Sequence, residues 1–225
     1  AMLFGFTLTE NFNRPFAAQT IGEFWRRWHM SLSNWLRDYL YYPMVLSIKR
    51  PSKLKLYMCT LVTFTLIGLW HGANWTYVVF GAIHGIYLVV ENIFEKGGRS
   101  LVQNLGLIRF PRMLSFVNVI KVFTLVSISL IFFRAENLEK GWWIFTNLFC
   151  VLSFDFILGQ AVSNPTYSGL KVIFIPTVLA IIFMEIVQYY QTKHATLYLF
   201  ETKSRLVRYV WYYFLTFSII VLGFF

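Results

Sequence analysis

Four histidines are the side chains of this sequence best suited to proton transfer. His71 stands in the turn Gly68-Leu69-Trp70-His71-Gly72-Ala73-Asn74, which interrupts a long apolar stretch over residues 54–94. An ionisable side chain within a membrane is costly and usually faces protein or a water-filled cavity. Burial favours the neutral imidazole, which can accept a proton from a hydroxyl group. The sequence therefore indicates a general base at His71, although a histidine in a turn can equally serve only as a hydrogen-bond partner of a nearby carbonyl.

The remaining histidines occupy three different settings. His29 lies in an aromatic and basic segment, residues 23–33, where it could act on a substrate or simply lie at an interface. His84 falls in the middle of an apolar run, and packing within a polar network is favoured for it because of its neighbours on one helical face. Those neighbours are Tyr77, Gly81, Leu88 and Glu91. His194 lies in a basic loop and is expected to be solvated.

Other kinds of catalytic site find no support in the sequence. His71 and His84 are separated by a turn, and no cysteine or carboxylate completes a set with the spacing of zinc ligands. The sequence also lacks a phosphate-binding glycine-rich loop and a nucleophile elbow. We therefore expect no metal site, no serine hydrolase and no nucleotide-driven pump. Gly68 and Gly72 would instead let backbone approach a ligand closely, and any free N–H groups of the turn could face a developing oxyanion.

The composition is that of a membrane protein. Of the 225 residues, 57% are hydrophobic, 20% are aromatic and only 13% are charged, whereas a soluble domain carries about 25% charged residues. The mean hydropathy is +0.58. The net charge of +10 does not require nucleic acid as a partner, because the basic residues cluster at predicted helix ends, where they can meet anionic lipid headgroups.

Membrane spans are the elements that must position the histidines. Apolar runs of near-spanning length cover residues 54–70, 75–94, 113–133, 170–190 and 206–225, and residues 1–8 resemble the end of another helix. A shorter run over residues 142–158 contains Asp155 and is expected to be re-entrant or interfacial. Residues 95–112 and 159–169 are the most loop-like stretches. We therefore predict a multi-pass helical protein with five full spans.

The distribution of basic residues predicts the orientation of these spans. The connections 49–55, 95–112 and 191–208 are rich in lysine and arginine, whereas 71–74 and 134–169 together hold only two basic residues. If 142–158 does not cross, the three basic connections share one face, which the positive-inside rule makes cytoplasmic. The turn that carries His71 then approaches the outer face.

Residues 20–43 follow a different pattern. Thr20-Ile21-Gly22-Glu23 forms a capping box that can begin a helix, and aromatic and aliphatic residues then recur at helical spacing until Pro43. Arginine and tryptophan suit a membrane boundary. The pattern predicts an amphipathic helix, or a pair of short ones, that ends at Pro43 and lies at the cytoplasmic interface or dips into it.

Four motifs in this order resemble the membrane-bound O-acyltransferase (MBOAT) family. They are Glu-Asn-Phe-Asn-Arg-Pro-Phe (10–16), Glu-Phe-Trp-Arg-Arg-Trp-His (23–29), Ser-Leu-Ser-Asn-Trp-Leu-Arg-Asp-Tyr-Leu-Tyr-Tyr-Pro (31–43) and Gly-Leu-Trp-His-Gly-Ala-Asn-Trp (68–75), and Phe-Phe-Arg-Ala (132–135) also fits. The resemblance is to the bacterial alginate O-acetyltransferase branch, with the teichoic-acid D-alanyl transfer protein as a near relative. Members of this branch are about twice as long, so the chain is expected to be the C-terminal half of an MBOAT core.

The resemblance implies roles for particular residues. The essential histidine of the family's W-H-G motif falls on His71, and a second motif histidine falls on His29; in the family both lie along a tunnel through the membrane. An acyl donor enters from the cytoplasmic side and an acceptor meets it from outside. We expect substrate-binding roles for eight further residues, among which Asn34 and Asn74 are hydrogen-bond donors and Trp70 and Trp75 are pocket walls. The eight are Trp25, Arg26, Arg27, Trp28, Asn34, Trp70, Asn74 and Trp75.

The function expected from this resemblance is O-acyl transfer in the bacterial cytoplasmic membrane. The acyl group, expected to be acetyl, would pass from acetyl-CoA or an acyl carrier to an extracytoplasmic glycan or to a partner acetyltransferase, with no tightly bound cofactor. D-alanyl transfer to teichoic acid, a conduit that makes no bonds, and a structural half-subunit remain open as alternatives. We expect one membrane domain over residues 1–225, with an interfacial segment at 20–43 and the His71 hairpin at 54–94.

Overall fold

The computed structural model describes residues 9–151 and three residues further on, Tyr209, Val210 and Tyr213. Helices and turns make up these residues, with no strand among them, which confirms the all-α class. The chain divides into two compact units, Ala1–Ile157 and Leu158–Phe225, and every helix named below belongs to the first. Several predictions fall on residues outside the described part: the helix end at 1–8, Asp155, the span at 170–190, the 191–208 loop with His194, and the span at 206–225 apart from the three residues named.

Seven α-helices lie in the described residues of the first unit. Three are short and precede the predicted hairpin, and three of the other four are long. In chain order they are α1 (Ile21–Arg27), α2 (Met30–Leu36), α3 (Tyr42–Leu46), α4 (Lys53–Trp70), α5 (Trp75–Asn104), α6 (Pro111–Arg134) and α7 (Leu138–Val151).

Helices α4 and α5 form the hairpin that the apolar stretch predicts. Asn74 caps α5, because its side-chain oxygen accepts the N–H of Thr76 at 3.1 Å. The two helices touch backbone to backbone at a pair of glycines. A Cβ atom on Gly68 would lie 2.1 Å from the carbonyl oxygen of Tyr77, and one on Gly81 would lie 2.2 Å from that of Phe64. Small residues at this crossing therefore set the distance between the two arms.

Helix α5 is longer than predicted. The expected span ends at residue 94, but the helix continues to Asn104, so the prediction of a loop over residues 95–112 is wrong for its first ten residues. Thirty helical residues extend over about 45 Å, well beyond a hydrocarbon core of about 30 Å. Gly97 and Gly98 lie in this continuation, and a helix that is already formed tolerates each glycine at about 1 kcal/mol. An ion pair between Arg99 and Glu95 supports the protruding turns.

Helix α6 returns from the base of the hairpin towards its tip. It begins at Pro111, after a short connection that contains the 3₁₀ turn Leu107–Arg109. Within the described residues, α4, α5 and α6 are the helices long and apolar enough to cross a membrane, and they correspond to three of the predicted spans. Helix α7 begins at Leu138, and residues 152–158 of the predicted short run lie outside the described part.

Helix α1 begins with the predicted cap. The hydroxyl of Thr20 accepts the N–H of Glu23 at 3.0 Å, while the carboxylate of Glu23 accepts the N–H of Gln19 at 2.7 Å. The helix packs alongside α5. Its first two N–H groups donate hydrogen bonds to the carboxylate of Glu91, and the indole N–H of Trp25 in its second turn donates to His84. Because Glu91 and His84 are two turns apart on a spanning helix, α1 runs along the depth of the span instead of lying flat at its end.

The helical segment after His29 continues through Pro43. Helices α2 and α3 are joined without a break by a π-helical turn, Arg37–Tyr41. The prediction that the helix ends at Pro43 is therefore wrong, because α3 extends to Leu46. Proline lacks an N–H and its ring clashes with the carbonyl four residues earlier. The wider π turn, in which Tyr42 N–H bonds to Arg37 O, accommodates the proline ring.

The buried core of the described residues lies where α1 packs against the long helices. It combines side chains from α1, α2, α4 and α6 with Ala18 of the preceding turn. Its members are Ala18, Ile21, Phe24, Trp25, Leu36, Ile67, Val122 and Val126. Helix α1 is therefore enclosed on several sides, and this packing positions the motif residues that follow it.

Candidate functional site

His29 and His71 open onto one small cavity, which we call the inner cavity. Its volume is about 90 Å³. Aromatic and aliphatic side chains make up most of its wall, and His84 is the third histidine in it. The full lining is Phe16, Phe24, Trp25, Trp28, His29, Leu32, Ile67, His71, Phe80, His84, Val126, Leu130 and Phe133. Residues from five different helices thus bring together two motif histidines that are 42 positions apart in the sequence.

Aromatic rings surround His71 on its protein side. The imidazole lies edge-on to Trp70 and Phe133, with ring centroids 4.9 and 5.0 Å away, and the rings of Tyr77 and Phe80 both lie at 6.3 Å. Within the described residues the side chain keeps an exposed side. Partial burial, together with the nearby imidazole of His29, lowers the pKa of His71 below the ordinary value of 6.5. The neutral form that a general base requires is therefore favoured at pH 7.

The backbone of the turn offers fewer free N–H groups than the sequence suggests. His71 N–H bonds to Gly68 O and Gly72 N–H bonds to Leu69 O, both at 3.1 Å, and Asn74 N–H bonds to Gly72 O at 2.9 Å. Gly68 approaches the backbone of α5 instead of open space. The expectation that glycines bring backbone N–H groups of this turn to a ligand is wrong at these positions, because the groups already complete the end of α4.

A strained turn positions His29. The residue sits between α1 and α2 with φ +44°, a left-handed conformation that costs an L-residue about 1–2 kcal/mol. Asn11 holds this turn from the preceding segment. Its backbone oxygen accepts Met30 N–H at 2.9 Å, and its side-chain oxygen accepts the N–H and the hydroxyl of Ser31 at 3.0 and 2.6 Å. The role of the Glu-Asn-Phe-Asn-Arg-Pro-Phe motif here is thus to brace His29.

His29 itself has an unused nitrogen. Among the described residues, its Nδ1 is buried and makes no hydrogen bond. Its ring lies 6.4 Å from that of Trp70, which also contacts His71, so the two histidines share an indole neighbour. A buried imidazole nitrogen without a partner is uncommon. It suits a histidine that binds or exchanges a proton with a substrate.

A second and larger cavity, the outer cavity, lies beside α1 on the side of the hairpin base. Its volume is about 410 Å³, and its wall is more polar than that of the inner cavity. Arg26, Asn34 and Arg37 line it together with Ser33 and Asn92. The remaining lining residues are Gly22, Trp25, Leu36, Tyr41, Thr60, Thr63, Phe64, Ile67 and Leu88. The guanidinium group of Arg26 makes this cavity suited to an anionic ligand, whereas that of Arg37 is paired with Asp38 at 2.8 Å.

Trp25 and Ile67 are the two residues common to both cavities. Trp25 is 9% exposed, and its indole N–H donates to Nδ1 of His84 at 3.2 Å. Nε2 of His84 in turn lies 2.8 Å from the hydroxyl of Ser129 on α6. The favoured polar-network role of His84 is confirmed by these bonds. The contribution of Ser129 could not be found from the sequence, because nothing links its position on α6 to α1.

The predicted substrate-binding residues fall into two groups. Trp25, Arg26, Trp28 and Asn34 line one or both cavities, and Trp70 contacts both motif histidines. The other three lie elsewhere, and their contacts with substrate stay predictions. Arg27 is paired with Glu23 at 2.6 Å, Trp75 is 71% exposed and lines neither cavity, and Asn74 caps α5 while its amide nitrogen donates to Glu136 O at 3.1 Å.

The sequence of this chain is similar to a family model and to several known proteins. Residues 1–133 match the model of the membrane-bound O-acyltransferase family. The chain is 43% identical over 148 residues to the probable alginate O-acetylase AlgI of Pseudomonas aeruginosa, and the matched region covers 66% of this chain and 26% of that protein. It is 36% identical over 140 residues to the peptidoglycan O-acetyltransferase of Helicobacter pylori, and this matched region covers 62% of this chain and 25% of that protein.

A third relative has a different stated activity. The teichoic acid D-alanyltransferase of Bacillus subtilis is 37% identical over 103 residues, covering 44% of this chain and 26% of the relative. In each of these three proteins, the matched part spans about a quarter of the length. The family model, in contrast, covers more than half of this chain and includes both motif histidines. This chain therefore belongs to the membrane-bound O-acyltransferase family.

Proposed function

We propose that this protein is an O-acyltransferase that moves an acetyl group from a cytoplasmic thioester donor towards hydroxyl groups of an extracytoplasmic polysaccharide. The observation that carries the proposal is the shared cavity of His29 and His71, which adjoins an arginine-lined cavity across Trp25 and Ile67. The acceptor that meets the acetyl group outside is either the polysaccharide or a partner acetyltransferase. The relatives named above support acyl transfer as the reaction class.

In the proposed step, the neutral imidazole of His71 accepts the proton of the acceptor hydroxyl while the oxygen attacks the thioester carbonyl. The new C–O bond forms, the C–S bond breaks, and the imidazolium returns the proton to the departing thiolate. General-base catalysis of this kind contributes about 10²–10⁴-fold to the rate. The lowered pKa of His71 supports this role, because it keeps the imidazole unprotonated at pH 7.

The outer cavity is the proposed site of the donor. Acetyl-CoA and acylated carrier proteins both attach the thioester to an arm that bears phosphate, and guanidinium groups bind phosphate well. Arg26 and Arg37 line this cavity, and Asn34 adds an amide donor. The π-helical turn Arg37–Tyr41 contributes two lining residues, and such turns are frequent at functional sites.

The orientation of the hairpin supports entry of the donor from the cytoplasm. The basic stretches 49–55 and 95–112 flank the base of the hairpin, since α4 begins and α5 ends there. The positive-inside rule makes this end cytoplasmic in a bacterial inner membrane. The outer cavity reaches Asn92 on the base side, whereas His71 stands at the tip. Donor and acceptor would then meet from opposite sides, with the outer faces of the long helices in contact with lipid.

The lining of the inner cavity favours acetyl over D-alanyl. A D-alanyl group carries an ammonium ion, and burial of a charge without a partner is strongly unfavourable. Among the described residues that line the inner cavity there is no carboxylate. An uncharged acetyl group requires no such counter-charge. D-alanyl transfer is therefore the second candidate for the reaction of this site.

The substitution His71→Ala tests the proposal in membranes from cells that express the protein from its intact gene. We expect acetyl transfer from acetyl-CoA to fall by about 10²–10⁴-fold, with the protein still present in the membrane. Leu69→Ala is the matched control, because Leu69 lies in the same turn, is 50% exposed and lines neither cavity. Full acetyl transfer by His71→Ala would contradict the assignment of the base.

A non-cleavable thioether analogue of the donor separates an enzyme from a conduit. An enzyme that breaks the C–S bond is inhibited by the analogue and transfers nothing from it. A conduit without chemistry of its own would pass the analogue, or the whole donor, across the membrane. Transport of the intact analogue into vesicles that contain the protein would therefore contradict acyl transfer at this site.

A further inference from the structure

Trp25 is the partition between the two cavities. Its indole is nearly enclosed, with ring centroids 5.0 Å from Phe64 on α4 and 5.1 Å from His84 on α5. Ile67 is the other residue shared by the two linings and is 3% exposed. An acyl group that travels from the arginine-lined cavity to the motif histidines therefore passes Trp25 or Ile67, and Trp25 is the larger of the two side chains.

A buried chain of hydrogen bonds fixes the indole in this position. Trp25 Nε1 can only donate, so Nδ1 of His84 must accept, and the proton of the neutral ring lies on Nε2. Nε2 then donates to the hydroxyl of Ser129 at 2.8 Å, and that hydroxyl donates to Val126 O at 2.7 Å. His84 is 1% exposed and Ser129 is 0% exposed. Each polar proton in this series of hydrogen bonds has one acceptor, so rotation of the indole would break a buried hydrogen bond.

The inner cavity is small enough to discriminate between acyl groups. Its volume of about 90 Å³ is less than a quarter of the roughly 410 Å³ of the outer cavity. An acetyl group has three non-hydrogen atoms, whereas a butyryl group has five. The outer cavity, at about 410 Å³, imposes no such limit. The discrimination must therefore come from the wall between them.

We propose that Trp25 sets the upper limit on the length of the transferred acyl group and that His84 is the positioning residue that holds Trp25 in place. The inference rests on the proposed acyl transfer at the inner cavity. Neither residue exchanges a proton with substrate in this role. Removal of the indole joins the inner cavity to the outer one, and removal of the acceptor on His84 lets the indole move.

The test compares acetyl-CoA with butyryl-CoA as donors for membranes that contain the intact protein. We expect Trp25→Ala to raise the butyryl-to-acetyl ratio of kcat/KM by at least about tenfold, because one methylene group in a fitted pocket is worth about 10–200-fold. Trp25→Phe should raise the ratio less, since most of the ring remains. Val122→Ala is the control: it loosens the same core, is 1% exposed and lines neither cavity, so the ratio should not change.

The role of His84 is tested by a double-mutant cycle. His84→Leu removes the acceptor and should raise the ratio, whereas His84→Asn, whose Oδ1 can replace Nδ1 as acceptor, should keep it near that of the unsubstituted protein. In a Trp25→Phe background there is no indole N–H to hold, so His84→Leu should produce no further change. A general loss of structure would not show this dependence on Trp25.

The outcomes are distinct. The inference is supported if the butyryl-to-acetyl ratio rises in both Trp25 variants and in His84→Leu as a single substitution. If acetyl transfer is retained and the ratio is unchanged in Trp25→Phe and His84→Leu, the inference is overturned and the proposed function stands. The same conclusion follows if these variants lose transfer from both donors while the amount of protein in the membrane is normal. Absence of transfer by the unsubstituted protein from either donor would instead overturn the proposed function.

Discussion

The carboxylate of Glu91 accepts the backbone N–H of Gly22 at 3.0 Å, across 69 positions of sequence. Its other oxygen accepts the N–H of Ile21 at 2.9 Å. These are the first two N–H groups of α1, which no carbonyl within the helix can satisfy. A negative charge at this point is also favoured by the dipole of the helix. Glu91 thus anchors the start of α1 to a spanning helix, and that anchor sets the depth at which Trp25 and His29 lie.

Glu91→Ala should destabilise the protein by about 2–6 kcal/mol, because two part-buried N–H groups lose their acceptor at about 1–3 kcal/mol each. Thermal unfolding of the detergent-solubilised protein measures the change. Glu95→Gln is the control: Glu95 lies one turn further along α5 and its pair with Arg99 is exposed, so its loss should change stability by less than about 0.5 kcal/mol. Equal effects of the two substitutions would show that the anchor is unimportant.

Gly68→Ala and Gly81→Ala should each disrupt the hairpin. A methyl group at either position would lie about 2 Å from a carbonyl oxygen of the opposite helix, so the arms must separate and the turn with His71 must shift. We expect a loss of more than about 3 kcal/mol, because the clash is with backbone. Gly97→Ala is the control, since nothing lies within 4 Å of its added Cβ, and it should be neutral or stabilising by up to about 1 kcal/mol.

Asn11→Ala should reduce activity without a change in the motif histidines. The substitution removes the acceptor for Ser31 N–H and for its hydroxyl, which frees the strained turn at His29. We expect a loss of about 1–2 kcal/mol in stability and a fall in kcat. Asn11→Asp preserves an acceptor at the same place and should restore most of the activity. An equal fall in kcat for Asn11→Asp would contradict the idea that the hydrogen bonds of Asn11 hold the turn at His29.

The pH dependence of acetyl transfer should report the lowered pKa of His71. Below this pKa the imidazole is protonated and cannot accept the hydroxyl proton, so the rate should rise with pH and level off, with a midpoint below 6.5. His29→Asn removes the neighbouring imidazole that contributes to the shift, and the midpoint should therefore move upwards in that variant. A rate that does not vary between pH 5 and 8 would exclude His71 as the base.

Arg26 and Arg27 are adjacent in sequence but should behave differently. Arg26 lines the outer cavity, and Arg26→Gln should raise KM for the thioester donor by at least about tenfold, since one charge-assisted hydrogen bond is worth about 1.5–3 kcal/mol. Arg27 pairs with Glu23 and donates to Arg14 O at 3.4 Å. Arg27→Gln should therefore lower thermal stability and leave KM for the donor nearly unchanged. Initial rates at varied acetyl-CoA, together with unfolding curves, distinguish the two.

The sequence alone determined the class of protein and the segments that matter. Apolar runs predicted the three spanning helices of the described part, and the capping box at Thr20 predicted the start of α1. The order of four local motifs identified the family. Each of these inferences depends on periodicity, composition or spacing within a few residues, which a linear sequence records directly.

The sequence failed where one part of the chain compensates for another. Pro43 indicated a helix end, but a π turn upstream accommodates its ring, and residues 95–104 were expected to form a loop but continue α5. Gly68 was expected to face a ligand and instead meets the backbone of α5. In each case the energy of packing or of helix continuation exceeds a local preference of about 1–3 kcal/mol.

Only the tertiary structure decided how the candidate site is built. It placed His29 and His71 on one cavity, separated Arg26 from Arg27, and joined Trp25 to His84 and Ser129. The two hydrogen bonds of His84 connect residues that are 59 and 45 positions apart, and the two motif histidines are 42 positions apart. These relationships depend on the rotation and depth at which α1 packs between the hairpin and α6. Packing of that kind is fixed by the shapes of many side chains together, and no local pattern in the sequence encodes it.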